Sequence, residues 1–206
     1  MIKMLEEKQN TEKTILEAAK EVFVEYGFDG ASMQKIADRA GINKALLHYY
    51  FRSKEKLFEA TFREVFYSMV PPLINTVKEE MSLEEKITIF VEKYIDTLRD
   101  NPLVPLFILH ELNRNPENLP ELVKESGIDP AIFFSQINSE IESGNIRPVP
   151  PHHLMINILA LSVFPFVAKP IIKGLFFNRD NDEFNKFIEE RKEIVTTFIL
   201  NAIKKP

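Results

Sequence analysis

The stretch that most constrains this chain is SMQKIADRAGINKALLHYYF, from Ser32 to Phe51, followed at once by Arg52-Ser53-Lys54-Glu55-Lys56-Leu57. Its punctuation specifies two short helices and a sharp corner. Ser32 is placed to cap a first helix whose inward face is Ile36, Ala37 and Ala40. Gly41 supplies a left-handed residue to end it, Ile42 can plug the corner, and Asn43 can cap a second helix. On that second helix Leu47, Tyr50 and Phe51 share one flank, while Lys44 and His48 share another at i, i+4 spacing. One side is built to be gripped and the other to be presented.

This is the geometry of a helix-turn-helix, whose second helix enters a DNA major groove N-terminus first. The formal net charge of −5 argues at first against a nucleic-acid partner. The distribution of charge reverses that argument. Lys35 to Lys56 holds six basic residues against two acidic ones, whereas residue 64 onward holds fifteen against twenty-one. A basic hairpin on an acidic remainder suits a protein that meets phosphates with one face only.

The rest of the 206 residues reads as all-α, with few glycines and no alternating strand pattern. A first helix is expected from about Thr11 to Tyr26, with Ile15, Ala18, Ala19, Val22, Phe23 and Tyr26 as its apolar stripe and Gly27 as its stop. Ser53 can cap a helix carrying Leu57, Phe58, Thr61, Phe62, Val65, Phe66 and Met69, which Pro71-Pro72 is expected to break or kink. Ser82 with Glu85 forms a capping-box pattern for a helix from Leu83 to about Asp100. Asn101-Pro102 is expected to restart the chain, a short helix ends at Gly127, and Asp129-Pro130 starts another that Gly144 ends.

Pro150 to Phe177 is the most apolar segment, and no residue from Leu154 to Ala168 is charged. That is short of the roughly 20 residues a bilayer crossing needs, and Pro165 lies inside it, so a helix buried between two subunits is expected and a membrane is not. A final helix begins at Asp180 and carries Phe184, Phe187, Ile188, Ile194, Val195, Phe198, Ile199 and Ile203. Two long apolar C-terminal helices imply a homodimer through a four-helix bundle. The absence of cysteine excludes disulfides and thiol catalysis, and with no apolar leader in Met1 to Asn10 the expected location is cytoplasmic.

The order Ile36-Ala37, Ala40-Gly41-Ile42, Leu47, Phe51 and Ser53-Lys54-Glu55 resembles the TetR family of bacterial transcriptional regulators, over roughly Thr11 to Phe66. The resemblance implies an N-terminal three-helix helix-turn-helix DNA-binding domain at 1–70, with its motif at 32–51, plus a larger helical ligand-binding and dimerisation domain at 71–206. It implies a sequence-specific DNA-binding regulator, a repressor, released from a palindromic operator of double-stranded DNA by a small apolar or amphipathic effector. It also assigns Lys54 to a backbone phosphate and dimerisation to the last two long helices.

Within that reading the phosphate contacts are Ser32, Lys44, His48, Tyr49 and Lys54. Base edges fall to Lys44, Ala45, Leu46 and His48, where alanine and leucine offer only apolar contact, for example to a thymine methyl. Ala45 stands where the family commonly has glycine and His48 where it commonly has tyrosine. An effector pocket would draw on Phe90, Tyr94, Phe107, Phe133, Phe134, Phe164 and Phe166, with His110, Glu111, Asn113 and Arg114 as polar anchors.

No cofactor, metal or catalytic set is expected. His110-Glu111 lacks the second histidine of a zinc-protease helix, since Arg114 occupies that place, and His152-His153 point in different directions on a helix. No glycine-rich phosphate loop or hydrolase serine motif is present, so an enzyme lacks its acid, base and nucleophile. The competing reading from another class is an all-helical interaction module whose basic hairpin docks an acidic partner. Retention on DNA at moderate salt separates the two.

Overall fold

A computed structural model describes residues 2–78, 80–102 and 104–205 of the chain, with the side chains at 2–7, 72 and 74–78 left out of the description. The described residues form eleven α-helices and no strand. They group into two compact units, one made of residues 2–68 with 106–122, the other of 69–105 with 123–205.

The first unit begins with α1 (Ile2–Gly30), α2 (Met33–Ala40) and α3 (Lys44–Tyr50). α1 starts nine residues before the expected Thr11, but its helical geometry is interrupted at Gly27, whose φ of 67° and ψ of 177° only glycine adopts without strain. Ile15, Ala18, Ala19, Val22 and Phe23 of the predicted stripe are buried, whereas Tyr26, expected as its last member, is 42% exposed and has the Lys35 ammonium over its ring. α4 (Lys54–Lys78) adds Leu57, Phe58, Thr61 and Phe62, all buried. α6 (Val104–Arg114) contributes Phe107, whose ring lies 5.0 Å from that of Phe58 and 5.6 Å from that of Phe62. An aromatic core is thereby closed by Phe107, which lies 45 residues after Phe62 and 49 after Phe58.

Pro71 and Pro72 do not end α4. Each proline inside a helix removes one backbone hydrogen bond and costs about 3 kcal/mol. Against this, Val65, Phe66, Met69 and Leu73 remain buried on one stripe across the proline pair, each worth about 2 kcal/mol. The apolar seam therefore carries the helix past its own breakers, as a sequence rule based on backbone alone does not foresee.

The second unit is built from α5 (Leu83–Asp100), α8 (Pro130–Glu142), α9 (Pro151–Val167), α10 (Lys169–Phe176) and α11 (Asn181–Ile203), and α7 (Asn118–Glu125) starts in the first unit and ends in the second. The capping box at Ser82 and Glu85 is formed in both directions. Asp129 caps α8 through Ala131 N–H, and Asp180 caps α11 through the amides of Asp182 and Glu183, which hold its carboxyl below the usual range. Asn101 serves both helices, its carbonyl accepting from Val104 N–H at 3.0 Å at the start of α6. Its amide donates to Thr97 C=O and closes the end of α5, and α6 begins at Val104, while Leu103 lies outside the described residues.

The apolar run expected as one helix is two, α9 and α10, bent by 71° at Ala168. No single helix among the described residues is long and apolar enough to cross a membrane. Pro165 lies within α9 and has no N–H for the carbonyl of Leu161. Arg191 of α11 supplies the missing donor, its Nη2 lying 2.7 Å from Leu161 O. A guanidinium on one helix thus repairs the backbone of its neighbour, and burial lowers the pKa of that guanidinium. Lys192 meets Asp96 at 2.8 Å and Arg99 meets Glu189 at 2.9 Å, joining α11 to α5.

Candidate nucleic-acid interface and effector cavity

Each cap in the hairpin has the predicted occupant. Ser32 Oγ accepts from Lys35 N–H at 3.2 Å, and Asn43 Oδ1 accepts from Leu46 N–H at 2.8 Å. Gly41 sits at φ 67° and ψ 28° with open space where a side chain would go, so backbone conformation alone demands glycine there. The Ile42 N–H returns to Ala37 O at 3.0 Å and locks the corner.

These caps set the rotation of α3. Leu47 is fully buried, whereas Lys44, Ala45, Leu46, His48 and Tyr49 are exposed, Tyr49 at 71%. Tyr50 is half-buried, and its hydroxyl donates to the carbonyl of Lys8 on α1 at 3.4 Å. The gripped and presented flanks read from the sequence are therefore separate in the fold, and Ser32 is also exposed beside its cap bond.

Lys54 is placed otherwise than expected. Its ammonium donates to Phe28 O at 2.8 Å and Ala31 O at 3.2 Å and lies 4.3 Å from the centre of the Phe28 ring. It pins the loop between α1 and α2 to the start of α4. Arg39 is also engaged, gripping Glu21 at 2.8 Å and Glu25 at 2.9 Å on α1, and its hydrogen bond holds the Glu25 carboxyl below the usual range. Behind the loop, Glu111 is completely buried against Arg114 and Asn118, and the Arg114 guanidinium stacks 4.5 Å above Phe28 and 4.6 Å above Phe58. Sequence reasoning proposed Glu111 and Arg114 as ligand anchors; both are spent on this internal brace.

The residues proposed for an effector do not form one lining. Phe107 belongs to the core of the first unit, and His110 is exposed on the same unit beside Gly27. Phe164 is 61% exposed, Phe134 is half-buried, and Phe166 is buried. Phe90 and Phe133 do meet, around a cavity of about 50 Å³ that Lys86, Ile87, Met155, Ile158 and Leu159 complete. The Tyr94 ring lies 5.6 Å from that of Phe90, and burial pushes its hydroxyl up to about 12. The Lys86 ammonium turns to Gln136 Oε1 at 2.8 Å, so the lysine lines the cavity with its stem. Ile87, Met155, Ile158 and Leu159 carry no sequence signal for this role, since aliphatic residues at helical spacing look like ordinary packing. A larger open groove of about 580 Å³, lined by Ser82, Glu140, Asn145, Thr197 and Lys204 among others, involves none of the predicted residues.

Residues 15–61 match the family model described as "Bacterial regulatory proteins, tetR family". The chain is 30% identical over 188 residues to the HTH-type transcriptional regulator RutR of Escherichia coli O157:H7, covering 89% of this chain and 87% of RutR. The chain belongs to the TetR family. It is a DNA-binding transcriptional regulator. The fatty acid metabolism regulator protein of Bacillus subtilis is 25% identical over 111 residues, 54% of this chain and 57% of that protein. The fold matches that of a TetR family transcription regulator from Marinobacter aquaeolei VT8, with a TM-score of 0.70 at 19% identity, over 98% of this chain and 99% of that one. The relatives are transcriptional regulators, not enzymes.

Proposed function

We propose that the chain is a repressor that binds a palindromic operator as a homodimer and leaves it when a small apolar or amphipathic molecule enters the second unit. The observation that carries this reading is the rotational setting of α3: Leu47 wholly buried, with Lys44, Ala45, Leu46, His48 and Tyr49 on the open flank. In this reading Lys44, Ala45 and Leu46 face base edges at the leading end of α3. Ser32, His48 and Tyr49 hold phosphates, and the Lys44 ammonium also reaches the phosphate rim beside its bases. Lys54 acts at one remove, by fixing the loop that carries Ser32.

The homodimer is supported by a row of exposed apolar side chains on the last two long helices. Ile156, Leu159 and Phe164 of α9 are 59%, 36% and 61% exposed, and Ile194 and Phe198 of α11 are 52% and 61% exposed. The i, i+4 spacing of Ile194 and Phe198 puts them on one face, where a second copy would bury them. Two copies of α3 about one DNA turn apart then require a two-fold symmetric site.

The effector would occupy the cavity between α5, α8 and α9. Its present volume is far below the ~300 Å³ of a small ligand pocket. Entry must therefore spread these helices, and a ligand that favours the spread state shifts the population away from the DNA-bound arrangement. The relative that regulates fatty acid metabolism supports an alkyl-bearing ligand for so apolar a lining.

Selection of bound fragments from a random duplex pool tests the first part, with an inverted repeat as the expected product. A non-symmetric product would overturn the dimeric palindrome reader, and retention on an acidic protein surface instead of DNA would favour the interaction module. Addition of medium- and long-chain fatty acids to the complex is expected to release the DNA. Unchanged binding across the series would remove the alkyl effector.

A further inference from the structure

The six basic residues of the hairpin region are not equivalent once their partners are known. Lys35 donates to Gly30 O at 3.0 Å and lies over the Tyr26 ring, Arg39 holds Glu21 and Glu25, Lys54 holds Phe28 O and Ala31 O, and Lys56 meets Glu59 at 3.3 Å. Lys44 and Arg52 are exposed and, among the described residues, make no ion pair or hydrogen bond. They stand at opposite ends of α3, Lys44 as its first residue and Arg52 just past its C-cap, Phe51. The six helical steps from Lys44 to Tyr50 span about 9 Å, and Arg52 lies two residues further on, past the extended Phe51. That separation is comparable to the ~12 Å width of a major groove, whose two rims are phosphate.

A third cation lies on the segment of α1 that Tyr50 touches. The Tyr50 hydroxyl, two residues before Arg52, donates to the carbonyl of Lys8, which brings the early part of α1 against the end of α3. The Lys8 residue is exposed and, among the described residues, has no ionic partner.

We propose that Arg52, with Lys8 beside it, clamps the DNA backbone at the C-terminal end of α3, opposite Lys44, and that this pair takes the phosphate role the family resemblance assigns to Lys54. The proposal rests on α3 entering a DNA groove and names which cations touch the rims. A cation whose donors already bind carbonyls releases few counterions when DNA arrives, whereas an exposed, unpaired one releases about one. Tyr50 then serves as the positioning residue that holds the two clamp members together.

The test is the salt dependence of binding to a 30-base-pair duplex of arbitrary sequence, which reads phosphate contacts without needing the operator. Arg52→Ala is expected to reduce the slope of log K against log salt by about 0.9 per subunit, with Lys8→Ala adding a similar step and Arg52→Lys retaining most of the wild-type slope. Lys54→Ala is expected to lower Tm while leaving the slope in place. A wild-type slope in Arg52→Ala would overturn the clamp, and so would a full unit of slope lost in Lys54→Ala with unchanged Tm. If the unmodified protein holds no duplex even at low salt, the groove-reading function fails with it. Binding that is normal in the wild type but insensitive to Arg52 sinks the clamp alone.

Discussion

The open flank of α3 and the open face of α9 and α11 both expose side chains, yet they leave opposite chemistry uncovered. α3 presents an ammonium, an imidazole and a phenol at Lys44, His48 and Tyr49, held in place by a buried Leu47 and two side-chain caps. α9 and α11 present Ile156, Phe164, Ile194 and Phe198 to water. Water satisfies the first set and penalises the second. The difference teaches that, in the proposed reading, the first face can stand exposed between encounters with DNA, while the second gains stability when a second copy covers it.

That contrast can be broken from either side. Phe198→Glu should carry the largest effect, dissociating the dimer in sedimentation and weakening operator binding by roughly 100- to 10,000-fold, because two linked half-sites become separate events. Its α3 should remain folded, with half-site binding preserved at high protein concentration. Leu47→Ala is the reciprocal change. It should cost about 3 kcal/mol in the unfolding of the first unit and abolish binding, while the sedimentation coefficient stays that of a dimer.

The repair of Pro165 gives a finer test within the second unit. Arg191→Met should destabilise by about 2 kcal/mol, since it strips a charged donor from a buried carbonyl. In a Pro165→Ala background the restored N–H can reach Leu161 O, and the cost of the same change should fall by about half, as a double-mutant cycle in urea would show. Asn43→Ala removes one cap of α3 and should cost about 1 kcal/mol, visible as lowered helicity of the hairpin and weaker DNA binding with no change in dimerisation.

The smallest effect is acid sensitivity. Arg39 lowers the Glu25 pKa in the fold, so the stability contributed by that pair is fully present above the ordinary value of 4.5 and is lost as pH falls through the lowered one. Titrating Tm downward from pH 5 should show a shallower decline in Glu25→Gln than in the parent. An identical decline would mean that the Arg39 grip contributes nothing measurable.

Much of this was legible in the residues themselves. Ser32, Gly41, Asn43, Ser82, Asp129 and Asp180 act through bonds to residues two to four positions away, so the caps and corners could be read without knowledge of the fold. The presented flank of α3 followed from helical period. The effector lining did not, because Phe107 and Phe133 look alike in sequence and only packing sends one to the aromatic core beside Phe58 and the other to the cavity beside Phe90.

Sequence alone therefore determined the helix boundaries set by local caps, at Ser32, Gly41, Asn43, Ser82, Asp129 and Asp180, and which flank of α3 is cationic, since those outcomes depend on neighbours a few residues apart. Tertiary structure alone decided which charges are spent and which are available. Lys54 and Arg39 are bound by groups from 14 to 26 residues away, Arg114 pairs with Glu111 three residues away but stacks on Phe28 at a separation of 86, and α4 runs through Pro71-Pro72 on the strength of a buried seam. The physical reason is that a charge or an apolar ring is defined by what surrounds it, and the surroundings are assembled only when distant segments meet.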